Sequence, residues 1–214
     1  MTLPWKHAAT LGFLAAFTAS PALSETVIMT FDEEAGDYTA FDDTIGDSTY
    51  VDVTNATLDD FGNATVYENH LEHWTNNYSE LVDIAFPSND GYVGQLAFDV
   101  TSGYQITFDS FDFGNYSNGN SPRDATFRIY NSAYNIVWEQ NILSHTGNSV
   151  NLTPGVTLTG MAYFQWGTDW NVGIDNFQYT SALEDTTPAV PLPASLPLLF
   201  AGFGGMALLR RFRG

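Results

Sequence analysis

From residue 26 to residue 179, apolar and polar positions alternate in short runs broken by clusters of Gly, Asn, Asp and Ser. A period of two marks half-buried strands. The pattern predicts strands over 26–31, 49–53, 64–68, 95–100 and 81–86, the last with Leu81, Ile84 and Phe86 inward. The longest signal covers 104–113, where Tyr104, Ile106 and Phe108 alternate and Phe111 and Phe113 resume one step out of register. That slip predicts a bulge near Ser110. Strands over 125–130 and 134–139 form a hairpin across Asn131-Ser132-Ala133, with Phe127, Ile129, Ile136 and Trp138 offered to the core. Further strands are predicted over 149–152, 156–158, 161–166 and 171–179. Residues 67–79 break the alternation and predict a short helix or a long loop. No 3.6-residue period is sustained, so the expectation is an all-β sandwich or barrel.

The two ends of the chain depart from this pattern. Lys6 and His7 precede an uncharged apolar run over 8–19, Pro21 ends it, and Ala22-Leu23-Ser24 supplies small residues. Residues 1–24 therefore read as a secretory signal peptide. At the other end, 181–188 is a polar linker, and nothing charged lies between Asp185 and Arg210. The dense apolar part, 196–209, is shorter than the roughly 20 residues a spanning helix needs. Pro191, Pro193 and Pro197 disfavour helix there, and Gly202, Gly204 and Gly205 weaken it. Arg210, Arg211 and Arg213 would hold the end on the cytoplasmic side of a bilayer. A transient membrane stop fits these features better than a durable anchor.

Val190-Pro191-Leu192-Pro193-Ala194, the apolar segment and the Arg-rich end resemble the C-terminal sorting signal of exosortase-processed proteins of Gram-negative bacteria, in its Val-Pro-Leu-Pro-Ala variant (PEP-CTERM type). The resemblance covers residues 189–214. It implies cutting near the motif by a membrane-embedded exosortase after brief anchoring in the inner membrane. The product would be a surface or extracellular protein, often of strains that make exopolysaccharide. The run Phe164 to Phe177, ending Ile174-Asp175-Asn176-Phe177, resembles the closing strands of ectodomains that often precede such signals. Those look like jelly-roll sandwiches related to carbohydrate-binding modules and galactose-binding-like domains. The resemblance implies a jelly-roll-like antiparallel β-sandwich over 25–180.

Charge narrows the partners. All 25 acidic residues lie between Glu25 and Asp185, and outside the two end segments the only cations are Arg123 and Arg128. That excludes nucleic acid, whose affinity rests on neutralising phosphates, and anionic membrane surfaces. Such a surface suits divalent cations, which relieve its self-repulsion. There is no cysteine, so disulfides and thiolate chemistry are excluded. About 160 residues suffice for one well-buried core.

Three groups of residues are candidates for chemistry. The jelly-roll resemblance implies a structural Ca2+ held where first and last strands meet, here by Asp32, Glu33 and Asp175. The alternative is a solvated turn and a carboxylate bonded to loop backbone. The acidic run Asp37, Asp42, Asp43 and Asp47 fits no EF-hand spacing and reads as solvated. For sugar, aromatic faces stack on C–H faces while amides take hydroxyls. Trp170 with Asn171, Trp74 with Asn76, Asn77 and Tyr78, and the loop aromatics Tyr92 and Tyr116 offer that mixture, whereas Trp138 and Trp166 have strand periodicity and read as core. Third, Glu68-Asn69-His70-Leu71-Glu72-His73 has two histidines three apart with glutamates nearby, a set that would suit a transition metal if helical; it lacks the His-Glu-x-x-His spacing of a metalloprotease and reads as an exposed polar loop. No nucleophile motif or phosphate loop is present, and carboxylate pairs such as Asp109 and Asp112 are uninformative in so acidic a chain, so no catalytic residue is expected. The Asn-x-Ser/Thr sequons at Asn55, Asn63, Asn77, Asn115 and Asn151 read as turn composition. The expected function is an exported, non-catalytic surface or matrix protein that binds glycan with Ca2+ support. The alternatives are a purely structural biofilm protein and, less favoured, a secreted glycan hydrolase.

Overall fold

The computed structural model describes residues 24–32 and 36–184. Most of the signal-peptide segment, Glu33 and the motif from Val190 to Ala194 lie outside the described residues. Thirteen strands are formed and, among the described residues, no helix. They are β1 (Ser24–Met29), β2 (Val51–Leu58), β3 (Val66–Glu68), β4 (Leu71–Trp74), β5 (Ile84–Pro87), β6 (Val93–Val100) and β7 (Tyr104–Asn115). There follow β8 (Arg123–Tyr130), β9 (Ile136–His145), β10 (Val150–Leu152), β11 (Val156–Thr159), β12 (Met161–Gly167) and β13 (Val172–Leu183).

These strands make two antiparallel sheets. One has the order β3-β2-β6-β12-β8-β9. In the other, β13 and β7 lie side by side at the centre, β10 and β11 flank β7, and β1 and β5 flank β13, with β4 outside β5. The sheets pack face to face through aromatic rings: Phe111 on Phe164 and Phe164 on Phe177, both at 4.8 Å between centroids, and Phe98 on Phe108 at 5.1 Å. These rings are at most 1 % exposed. Burying each contributes roughly 1.5–3 kcal/mol. The β7–β13 register steps between Asp175 and Gln178 and again at Tyr179 opposite Phe108. That irregularity lets Phe108 and Phe111 both face the core, as the slip in the alternation requires.

Several strand expectations need correction. Residues 67–79 hold neither helix nor one long loop, but the end of β3, all of β4 and a bridge from Tyr78 to Leu81. β4 does alternate: Leu71 and His73 are buried while Glu72 and Trp74 are half-buried. The inward histidine disguised the pattern. Its Nδ1 lies 3.0 Å from Gly36 O, and its Nε2 lies 2.9 Å from Asp83 Oδ1. In β5 it is Ala85 that joins the main core, while Ile84 and Phe86 turn to a separate cluster with Tyr78 and Leu81. Ile136 is exposed rather than core, because β9 is an edge strand. β13 runs to Leu183, so the first residues assigned to the linker pair in the sheet instead.

The outer face of the β6–β12 pair is covered. Gln165 Nε2 donates to Gly62 O and to Gln95 Oε1, and Gly62 N donates back to Gln165 Oε1 at 2.7 Å. Phe61 in the same β2–β3 loop lies under the Arg128 guanidinium at 4.5 Å. The other arginine, Arg123, pairs with Asp169 at 3.1 Å. Both cations of the described domain are therefore engaged within it.

Candidate functional site

The opposite sheet carries an aromatic cleft. Its floor begins with two glycines, Gly114 on β7 and Gly173 on β13, which are cross-strand partners. Both point away from the core, since Phe113, Val172 and Ile174 beside them are buried in it. A Cβ on Gly114 would come within 2.5 Å of Tyr78 O, and one on Gly173 within 2.9 Å of Tyr78 Cδ1. The missing side chains let the 77–81 segment lie directly on the sheet. It is fastened there by Ser79 N donating to Asn115 O at 2.8 Å and by Tyr78 OH donating to Trp170 O at 2.6 Å. Tyr78 is 3 % exposed, and burial pushes its phenol well above the usual range. It therefore acts as a neutral strut.

Around this strut stand the walls. Trp74 from β4 meets Tyr38 edge-on at 4.9 Å and Tyr116 edge-on at 5.7 Å. Tyr116 meets Tyr78 at 5.4 Å. Trp170, from the β12–β13 loop, closes the far side and is 36 % exposed, and Tyr38 is 56 % exposed. With Phe86 and Asn171 these rings enclose a cleft of about 180 Å3. The β12–β13 loop is held by Asp169. Its Oδ1 accepts Asn171 N at 2.8 Å and Asn171 Nδ2 at 2.6 Å, and its Oδ2 accepts from Arg123. The cleft thus presents exposed indole and phenol rings beside one oriented amide.

The structure brings Trp74, Trp170 and Asn171 together in this cleft, and Tyr116 with them. Tyr92 is elsewhere, packed on Tyr67 at 4.3 Å. Its place beside a turn did not distinguish it from the cleft residues. Tyr38 and Phe86 were missed. Tyr38 lies in a segment whose sequence signal is its acids, and the strand alternation over 81–86 assigns Phe86 to the core. Outward placement of alternate β5 residues, with glycines opposite, is the signal that would have found them.

Asp32 and Asp175 are differently placed. Asp32 is exposed and accepts from Thr30 Oγ1 at 2.7 Å. Asp175 is 6 % exposed, and its carboxylate accepts Asn176 N at 2.6 Å and Asn176 Nδ2 at 3.2 Å. Burial first, and then the like charges of Asp112, Asp83 and Asp32, push its carboxyl up to about 7. Among the described residues, no third acidic or histidine side chain closes on Asp32 and Asp175 as a compact ligand set. The compact set is Glu68, His70 and Glu72, within 4.8 Å of one another. These residues stand on the β3–β4 crossing rather than in an exposed loop.

No family model matches the chain, and no curated protein matches it. Among solved structures, an arabinose-bound α-L-arabinofuranosidase aligns at 12% identity and TM-score 0.39, over 73% of this chain and 26% of that one. This chain thus spans about a quarter of the enzyme's length. A fucose-binding module from Streptococcus pneumoniae aligns at 11% identity and TM-score 0.25, over 55% of this chain and 73% of the module. A family 11 carbohydrate-binding module from a Clostridium thermocellum cellulase aligns at 8% identity and TM-score 0.27, over 78% and 96%. At these scores the likenesses carry no argument about ligand or activity.

Proposed function

We propose that this is an exported, non-catalytic β-sandwich protein that binds a sugar residue or glycan end in the aromatic cleft. The observation that carries the reading is the convergence of Trp74, Trp170, Tyr38 and Tyr116 with Asn171 around about 180 Å3. The volume is below the roughly 300–1,000 Å3 of pockets for larger ligands, so one ring fits better than a long chain. Trp170 and Tyr38 supply faces for sugar C–H groups. Asn171 Nδ2 is engaged by Asp169, which leaves its carbonyl oxygen for a hydroxyl.

The remaining parts of the proposal rest on the sequence. Val190 to Ala194 and the arginines after them direct the chain to an exosortase, and the producer's exopolysaccharide is the natural glycan to try first. The chain passes between the two sheets repeatedly, which supports a jelly-roll-like connectivity. Ca2+ beside Asp175 would neutralise a buried carboxylate crowded by other aspartates. A glycan array with the secreted protein, with and without chelator, tests the binding. Loss of a positive signal in Trp170→Ala supports the cleft, and silence on every polysaccharide overturns it. Intact mass of the secreted form tests processing, since a product still carrying Arg213 contradicts it.

A further inference from the structure

We propose that Glu68, His70 and Glu72 form a binding site for a divalent first-row transition metal, Zn2+ in the first instance. The three residues are alternate positions in the chain. Extended backbone rises about 3.3 Å per residue, which would set Glu68 and Glu72 roughly 13 Å apart. Instead, one ligand atom from each lies within 4.8 Å of the others. The reason is a corner: Glu68 ends β3 in one sheet and Glu72 lies in β4 of the other.

The corner is pinned on both sides. Thr57 Oγ1 donates to His70 O at 2.9 Å, and Leu71 N donates to Asn55 Oδ1 at 2.6 Å. Glu68 pairs with Thr57 of β2, and Glu72 pairs with Phe86 of β5 and bridges to Ala40. The ligand positions are therefore set by strands of both sheets and not by a free loop. His70 Nε2 already lies 3.0 Å from Glu68 Oε2. Glu72 supplies an independent sign of a missing partner, because its Oε2 is buried and makes no hydrogen bond. A cation between the three would satisfy the orphaned oxygen and the two crowded carboxylates together.

The donor set selects the ion. Ca2+ takes six to eight oxygens, whereas one imidazole and two carboxylates suit Zn2+, which accepts three protein ligands and leaves a fourth position to water. The site adjoins the aromatic cleft, since Glu72 pairs with Phe86, but none of Glu68, His70 and Glu72 lines that cleft.

The test is calorimetric titration of the chelator-treated secreted protein with ZnCl2, with CaCl2 in parallel. One Zn2+ per chain is expected, with a thermal midpoint that rises on addition. His70→Ala should weaken Zn2+ by more than the roughly 10–100-fold that loss of an outer partner gives, while His145→Ala leaves it unchanged. Glu68→Gln provides a second variant should His70→Ala unfold. No Zn2+ uptake by the parent, equal uptake in the ligand variants, or Ca2+ binding as tight at the same residues would overturn the site.

Discussion

Asp175 makes the stability of this domain depend on pH in an unusual direction. Its carboxyl is raised from 3.8 to about 7, chiefly by burial, with Asp112, Asp83 and Asp32 adding like charge. In the unfolded chain the proton leaves near 3.8, whereas in the folded chain it stays until about 7. Between these limits the native state holds the extra proton, so stability falls as pH rises. The full shift corresponds to roughly 4 kcal/mol at about 1.4 kcal/mol per pH unit. Water still reaches part of the carboxyl, and that screening lowers the expected effect to about 2 kcal/mol. Asp175→Asn removes the charge while keeping an oxygen for Asn176 N. In urea unfolding, the variant should match the parent near pH 4 and exceed it by about 2 kcal/mol near pH 8. Millimolar Ca2+ should narrow that gap by stabilising the parent alone. Parallel curves for parent and variant across this range would refute the argument.

Other perturbations follow from the packing. Gln165→Leu leaves Gly62 N and O without their partners, at a cost of about 1–3 kcal/mol, and should release the β2–β3 loop, read as faster amide exchange over 59–65. Gly114→Ala drives a Cβ against the Tyr78 carbonyl, which is backbone and cannot swing aside. It should destabilise by about 1–3 kcal/mol and lower the cleft's affinity for sugar at the same time.

Strand alternation made much of the fold legible, down to the out-of-step phenylalanines around Ser110, because sheet burial follows side-chain parity. It failed where a polar residue faces inward. His73 is buried through contacts to Gly36 and Asp83, partners 37 and 10 residues away that no local pattern displays. It also failed at β5, where an apolar residue on each face left parity ambiguous. Within the candidate cleft, the tryptophans and Asn171 were recognisable by residue type beside turns. Tyr38, and the glycine pair that seats Tyr78, depend on pairing between distant strands. Tyr92 has the same local character as the cleft residues and lies elsewhere, because residue type alone does not fix position.

The central claim is that the cleft between Trp74 and Trp170 is a sugar site. Its most direct test is intrinsic tryptophan fluorescence of the secreted protein titrated with oligosaccharides from the producer's exopolysaccharide. Trp170→Ala and Trp74→Phe are titrated in parallel. A saturable change in the parent that weakens in Trp74→Phe and vanishes in Trp170→Ala, with both variants folded, is the predicted result. Saturable binding that survives in both variants, or no binding to any oligosaccharide by a folded parent, would contradict it.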